Sequence, residues 1–376
     1  MSFDYYMPVR IISVSNCVLK FDFKKLGGRA FIIGGSKGLF KSGLMDDLQT
    51  ALEKRGVKYK IFEGIRENPN IKQCHAAGAQ AAAFGADFII GAGGGSAMDA
   101  AKAASVYACN PELKPVDIFD NKKYSTAMPV VLIGTTAGTG SEVTPVSVLT
   151  YDSGSIEIKK SVRNSLLFAK FALCDAKYTQ ELPWEITANT ALDFISHAVE
   201  SLYSVKATEF ETIYACETLR IGWDALIRAH WRVVMEKKEI DLGLRERLLT
   251  ASIMAGMAIN GTGTCFPHSL SYSLTMDKKV PHGKACAAFL PEFIKLNQSD
   301  DRRTKLLLKS AGETSLDTFL DGVRSMTGVL PVISAYEAEE YTAIIKDSPS
   351  LQNSVIPIYE EDVLRLYKKL FVKQFG

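Results

Sequence analysis

A chain of 376 residues is long enough for two domains, each with its own core, and needs no disulfide or structural metal as a staple. With 47% hydrophobic and 23% charged residues and a net charge of +2, the composition is that of a soluble globular protein, with no field to recruit nucleic acid or an anionic membrane. The longest apolar runs, "MPVVLIG" from Met128 and "ADFIIGA" around Phe88, fall far short of a bilayer span, and "MSFDYYMPVR" does not read as a signal peptide.

From Arg29 onward short apolar runs alternate with helical patterns. A strand in "RAFIIGG" precedes a helix through "SGLMDDLQTALEKRG", and a strand in "KYKIFE" precedes a helix through "IKQCHAAGAQAAAFG" and a strand in "ADFIIGAGGG". Such alternation predicts a parallel sheet with helices on both faces. "PVVLIGTT" is the next strand, "SVLTYDSGSIEIKKS" a hairpin-like excursion and "FALCDA" the last strand. After Pro183 the period changes. Segments 187–203, 206–230, 244–259, 284–296 and 360–371 carry apolar residues at helical spacing, as Val363, Leu366, Tyr367 and Leu370 illustrate. A boundary within 177–185 therefore separates an α/β half, 1–180, from an all-helical half, 181–376. No internal repeat interrupts either. The seven cysteines are scattered and never form a C-x-x-C pair, which predicts reduced thiols in a cytoplasm and argues against a disulfide framework or a thiolate zinc site.

Three turns carry polar chemistry. In "ADFIIGAGGGSAMDAAKAA" a strand runs into three glycines and then a helix, so backbone amides and the helix dipole are open to a diphosphate. Ser96 and Asp99 stand in capping-box spacing, which fits a helix cap as well. The third glycine of a G-x-G-x-x-G fingerprint is missing, so the dinucleotide reading does not rest on that pattern. The turn in "FIIGGSKGLFKSG" follows the first strand of this half and, in an open sheet, could face the same crevice as the triple glycine. A carboxylate there would bind a free ribose hydroxyl; Gly35 supplies none, whereas Ser36 and Lys37 offer donors and a positive charge, which leans towards NADP(H) over NAD(H). Glu63, ending "KYKIFE", is the counter-candidate. "IGTTAGTGSEVT" clusters Thr135, Thr136, Thr139 and Ser141, suited to a nicotinamide ribose, a carboxamide or a phosphate, or to a plain polar turn.

In "ALDFISHAVE", Asp193 and His197 are four residues apart and project from one helix face with Cβ atoms about 5 to 6 Å apart. That fits two ligands of a divalent metal or a hydrogen-bonded core pair, with Glu200 on the same face as an orienting partner or a solvated residue. His268 and His282 lie downstream in structured contexts, whereas His75 and His230 read as surface. One carboxylate with three imidazoles suits Fe2+ or Zn2+ better than the all-oxygen sites of Mg2+ or Ca2+.

Gly93-Gly94-Gly95-Ser96 with Asp99 and Lys102, "TTAGTGSE" from Thr135, Asp193-x-x-x-His197-x-x-Glu200, and His268 fourteen residues before the Pro-His-Gly of His282 occur in order over most of the chain. Together they resemble the iron-containing (group III) alcohol dehydrogenases. The resemblance implies a Rossmann-like dinucleotide-binding domain followed by an all-helical domain, a dehydroquinate synthase-like architecture, with the metal and cofactor held in the cleft between them. It implies Asp193, His197, His268 and His282 as metal ligands, Gly94, Gly95 and Ser96 at the diphosphate, Thr135, Thr136 and Thr139 on the nicotinamide side, and Asn68 and Lys159 as further cofactor contacts. Gly35 stands where many NAD-using members carry an aspartate, which strengthens the lean to NADP(H). The implied reaction is reversible hydride transfer between nicotinamide C4 and a small alcohol or aldehyde, with metal-bound oxygen activated by the ion, in a homodimer.

Two positions depart from the family pattern. Many members carry a histidine four residues after the third ligand, where this chain has Tyr272, which becomes a candidate proton relay. The surroundings of Lys159 also match poorly, and Lys160 is an alternative. Rival readings on the same architecture are a glycerol-type dehydrogenase and a dehydroquinate synthase-like enzyme; the latter needs a basic pocket, for which only Lys278, Lys279 and Lys284 lie near the ligand histidines. A non-catalytic nucleotide- or metal-binding relative is the rival from another class.

Overall fold

The computed structural model describes residues 3–35, 38–153 and 156–373, and among these eight strands follow in chain order: β1 (Arg10–Ser13), β2 (Arg29–Gly34), β3 (Lys58–Phe62), β4 (Phe88–Gly93), β5 (Val130–Gly134), β6 (Val146–Ser153), β7 (Ile156–Arg163) and β8 (Phe171–Cys174). Six form one parallel sheet in the order β1-β8-β5-β4-β2-β3, and β6 pairs antiparallel with β7 as a separate hairpin. The central strands β4 and β5 are buried along their whole length, as expected of near-continuous apolar runs covered on both faces. One face packs Phe23, Ile32, Leu48, Leu52, Phe88, Ile90, Val131 and Leu173 into a single core. Elsewhere in this unit small residues let two alanine-rich helices, Ile71–Phe84 and Gly95–Cys109, lie very close: a Cβ on Gly78 would sit 2.5 Å from the Tyr107 Cβ.

Strand order places the functional turns. β2 lies between β3 and β4, so the chain moves outward to β3 and then returns past β2 to β4. The turns after β2 and β4 thus flank the switch point of the sheet, where open α/β sheets bind ligands. β1 was not expected; its four residues are half-buried or exposed, too short a run for alternation to register, and it gains its place by pairing with β8.

The chain divides into two compact units, one of Tyr6–Leu182 with Ile240–Leu249, the other of Met1–Tyr5, Pro183–Glu239 and Thr250–Gly376. Local periodicity does not foretell the two short exchanges. Tyr5 donates its hydroxyl to the Met257 carbonyl at 2.9 Å, and Arg245 donates to the carbonyls of Gln180 and Leu182 at 3.3 and 2.8 Å. The second unit is helical, with Trp184–Tyr203 at its centre: Leu192, Phe194, Ile195, Ala198, Val199 and Leu202 are all buried, so this helix is enclosed on nearly every side. The stretch expected as one helix over 206–230 is Glu209–Thr218 and Asp224–His230 with π-helical turns at Leu219–Trp223 and Trp231–Met235. Helices Asp301–Ala311, Leu316–Thr327 and Ala335–Ile345 add to those read from periodicity. Among the described residues no helix is long and apolar enough to cross a membrane.

Candidate functional site

The central helix buries three ionisable side chains of the "ALDFISHAVE" stretch, Asp193, His197 and Glu200, each with at most 5% exposure. Burying charge is costly unless it is compensated, so the neighbours of these groups decide what they do. Three imidazoles converge on one carboxylate oxygen: from Asp193 Oδ1 it is 3.4 Å to His268 Nε2, 3.9 Å to His197 Nε2 and 3.9 Å to His282 Nε2. The rings of His197 and His268 stack at 4.5 Å, and His282 meets His268 edge-on at 5.4 Å. Burial alone would raise the Asp193 carboxyl, but the three imidazoles reverse the sign and hold it below the usual carboxylate range.

Glu200 determines which nitrogen of His268 faces Asp193. Its Oε1 meets His268 Nδ1 at 2.5 Å, and its Oε2 accepts the Cys265 amide at 2.6 Å. With Nδ1 donating to a carboxylate, Nε2 is the nitrogen left to offer its lone pair to an ion once the ring is neutral, the arrangement that orients metal-binding histidines. Asp193 Oδ1 and His268 Nε2 are buried and make no hydrogen bond. Orphaned, convergent oxygen and nitrogen donors of this kind fit a divalent cation, and they do not fit a core packed for stability alone. Glu200→Gln is expected to weaken metal affinity about 10- to 100-fold by loosening the His268 tautomer. Metal titration of the stripped protein measures this, and unchanged affinity would reduce Glu200 to a packing role.

Two residues near these side chains carry no obvious sequence signal as a pair. Ser271 donates to the His268 carbonyl at 2.6 Å and lies 3.4 Å from His282 Nδ1. Cys286, one helical turn after His282, forms with Asp193, His268 and His282 a group whose donor atoms all lie within 4.8 Å of one another. The expectation against a thiolate zinc site considered paired cysteines only; an i, i+4 step from His282 singles out Cys286. Tyr272 stacks on His282 with ring centroids 5.9 Å apart. His75 and His230, read as surface, are half-buried: His75 Nε2 meets the Leu113 carbonyl at 2.9 Å, and His230 lies 5.5 Å from the Trp184 ring.

In the α/β unit the three polar turns come together at the carboxyl ends of β2, β4 and β5. The Thr135 amide donates to the Gly93 carbonyl at 2.9 Å, and a Cβ on Gly93 would sit 3.7 Å from the Gly35 nitrogen. A Cβ on Gly95 would stand 2.6 Å from Thr139 Cγ2, and one on Gly94 3.4 Å from Thr136 Oγ1, so the glycine turn and the threonine loop share one close-packed surface. Gly94 is the residue before helix Gly95–Cys109, and no side chain caps that helix. Ser96 therefore does not act as the cap that its spacing to Asp99 suggested; its hydroxyl instead accepts the Asn68 amide at 3.1 Å. Asn68 itself has φ of 56°, and its carbonyl accepts the Thr150 hydroxyl at 3.1 Å.

Asp99 is engaged within the unit. Its Oδ1 accepts the Ser141 hydroxyl at 2.6 Å and its Oδ2 the Val148 amide at 2.9 Å. Fully buried Lys102 completes this network by donating to Ser141 Oγ and the Val146 carbonyl, both at 2.7 Å. Burial pulls the Lys102 ammonium down to about 8, with Asp99 and Glu142 acting against it. Burial raises the Asp99 carboxyl above its ordinary value, with Lys102, the bonds from Ser141 and Val148, and Lys159 acting against it. Adjacent strand residues point to opposite faces, and Lys160 accordingly lies over the Phe119 ring at 4.9 Å. Gly35 has room for a side chain, since the nearest atom to a Cβ there is the Ile65 carbonyl oxygen at 3.9 Å. Ser36 and Lys37 lie outside the described residues.

Residues 8–176 match the family model of iron-containing alcohol dehydrogenase, and residues 187–318 that of the C-terminal part of the Fe-containing alcohol dehydrogenase family. The crystal structure of an iron-containing alcohol dehydrogenase from Thermotoga maritima superposes with a TM-score of 0.89 at 31% identity, covering 98% of this chain and 99% of that one. The chain belongs to the iron-containing alcohol dehydrogenase family. As a member it is an NAD(P)-linked oxidoreductase of alcohols or aldehydes. Among curated relatives, the sulfoacetaldehyde reductase of Bilophila wadsworthia is 34% identical over 270 residues, which is 70% of this chain and 66% of that protein. The probable alcohol dehydrogenase EutG of Escherichia coli is 31% identical over 286 residues, 76% of this chain and 70% of that protein.

Family membership favours the alcohol dehydrogenase reading over the glycerol-type and synthase readings. Two of the three lysines that a synthase pocket would need are engaged elsewhere. Lys278 pairs with Asp277 at 3.0 Å and with Glu337, and Lys279 donates to the Met276 carbonyl at 2.6 Å.

Proposed function

We propose that this member of the family transfers hydride between a nicotinamide cofactor and a small alcohol or aldehyde, with a divalent ion, Fe2+ or Zn2+, held by Asp193, His197, His268 and His282. The observation that carries the reading is the convergence of three imidazole Nε2 atoms on Asp193 Oδ1 within 3.9 Å. When bound, the ion lowers the pKa of an alcohol or polarises a carbonyl, and the nicotinamide carries the hydride. The rest falls to the chain's own residues. Asp193 contributes a full negative charge that its neighbours keep ionised, Glu200 fixes the tautomer of His268, and Ser271 stands beside Nδ1 of His282. His282 is the partly exposed member, 27% against at most 6% for the side chains of Asp193, His197 and His268, so small molecules reach the ligand group from its side. Tyr272, stacked on that exposed ring, is the proton relay of this proposal.

In the α/β unit the open amides of Gly94, Gly95 and Ser96 are assigned to the diphosphate, and Thr135, Thr136 and Thr139 to the nicotinamide side. Asn68, through its bond to Ser96, and Lys159, beside Asp99, border the same turn; Asp99 acts on it by holding Ser141 in place. The preference for NADP(H) rests on Gly35, where space for an acidic side chain goes unused, and on its neighbours Ser36 and Lys37. A homodimer in the cytoplasm completes the proposal.

Turnover of short alcohols and aldehydes, followed by nicotinamide absorbance, is expected to vanish on chelation and return with Fe2+ or Zn2+, with kcat/KM higher for NADP(H) than for NAD(H). Unchanged turnover after complete metal removal would overturn the metal assignment, and a clear preference for NAD(H) would overturn the role given to Gly35.

A further inference from the structure

We infer that Cys286 is a sulfur donor to the ion of this site, so that Asp193, His268, His282 and Cys286 together select a thiophilic divalent cation of the Zn2+ and Co2+ class. The inference rests on the metal-site reading above and adds a ligand to it. Cys286 is fully buried and lies one turn beyond His282 on helix His282–Asn297, so both side chains leave the same face of that helix. Its Sγ is 3.8 Å from both ring nitrogens of His282, and it shares with Asp193 and His268 the 4.8 Å group of donor atoms. The cysteine does not stand alone there. Asp193 Oδ1 and His268 Nε2, buried and without hydrogen bonds, belong to that group. His197 is not part of it, although its Nε2 is 3.9 Å from Asp193 Oδ1, so four further protein donors surround the Asp193 carboxylate.

The thiol is bonded within the same cluster. It donates to Ser271 Oγ at 3.3 Å, a hydroxyl that itself donates to the His268 carbonyl. On coordination the S–H bond breaks, a metal–sulfur bond forms and the proton leaves to solvent, so ion binding releases one proton more than a histidine and carboxylate set would. Sulfur shifts the preference of a nitrogen and oxygen site from harder ions towards Zn2+ and Co2+. Cys265, the other cysteine near these residues, directs its Sγ to the carbonyls of Glu200 and Asn353 at 3.5 Å and is not in the donor group.

The test uses the full chain, stripped of metal and titrated with Co2+ alone. Expected are visible ligand-field bands as the site fills and a near-ultraviolet sulfur-to-cobalt charge-transfer band, lost in both Cys286→Ser and Cys286→Ala. X-ray absorption of the wild-type Zn2+ form needs no variant and should place one sulfur at about 2.3 Å from the ion. Ligand-field bands without charge transfer, or a shell of nitrogen and oxygen alone, would overturn the role of Cys286 and leave the metal site standing. A charge-transfer band that survives in both variants would overturn it as well. Absence of any ligand-field band would bring down the metal-site reading and this inference together.

Discussion

Replacing Asp193 with asparagine is expected to lower kcat/KM about a thousandfold, the equivalent of about 4 kcal/mol of Lewis-acid stabilisation, and to strip most of the bound metal. The substitution keeps the volume and one oxygen, and removes only the charge. That charge is the common partner of the three imidazoles, since the His197, His268 and His282 Nε2 atoms lie 3.4 to 3.9 Å from Asp193 Oδ1. Because the imidazoles hold the carboxyl below its ordinary range, it is ionised throughout the neutral range, and the variant differs from the wild type by a full charge at any assay pH. Metal content by mass spectrometry and kcat/KM should fall together, whereas affinity for the reduced cofactor, measured by its fluorescence, should stay unchanged because the glycine turn belongs to the α/β unit. A metal-loaded, fully active asparagine variant would return Asp193 to the role of a core residue.

What the sequence reveals of this fold depends on how an element is buried. Strands β2, β4 and β5 are legible because two covered faces demand unbroken apolar runs, "AFII", "FIIGA" and "VVLIG". β1 is not, because a half-exposed edge strand of four residues looks like any short loop. The same contrast separates the late helices. Leu316–Thr327 carries Phe319, Leu320, Val323 and Met326 at helical spacing, a pattern the sequence reading passed over, whereas in Asp301–Ala311 only Leu307 and Ala311 are buried, too few to set a period. At the ligand group, Asp193 and His197 are legible from an i, i+4 step, and Glu200 follows three residues later. Their convergence with His268 and His282 is a tertiary fact that spacing cannot supply. Ser96 illustrates the opposite error: its spacing to Asp99 suggests a cap, yet the helix starts two residues too early for that, and the hydroxyl serves Asn68 instead.

The glycine after His282 is where packing and chemistry meet, and Gly283→Ala is expected to cost about 1 to 3 kcal/mol of stability and to weaken metal binding with it. A Cβ on Gly283 would lie 1.9 Å from the Asn189 carbonyl oxygen, 2.9 Å from the Asp193 nitrogen and 3.0 Å from the Asn189 carbonyl carbon. These are backbone atoms of the enclosed Trp184–Tyr203 helix, so no rotamer change relieves the clash and one helix must retreat from the other. The contact is also tied down by polar bonding, since Asn189 Oδ1 accepts the Lys284 amide at 3.0 Å. Retreat of helix His282–Asn297 carries His282 and Cys286 away from Asp193 together, because both ride on it. The fitting control is Gly243→Ala, at a helical glycine whose nearest neighbour to a Cβ is Asp241 Oδ1 at 3.4 Å, where alanine should be neutral or slightly stabilising. Thermal melting of the stripped proteins separates the packing cost from the loss of metal, and Zn2+ titration then reads the ligand geometry. If Gly283→Ala melts like the wild type and binds Zn2+ as tightly, the approach of the two helices does not set the distance between His282 and Asp193, and the ligands must be positioned by the histidine hydrogen bonds alone.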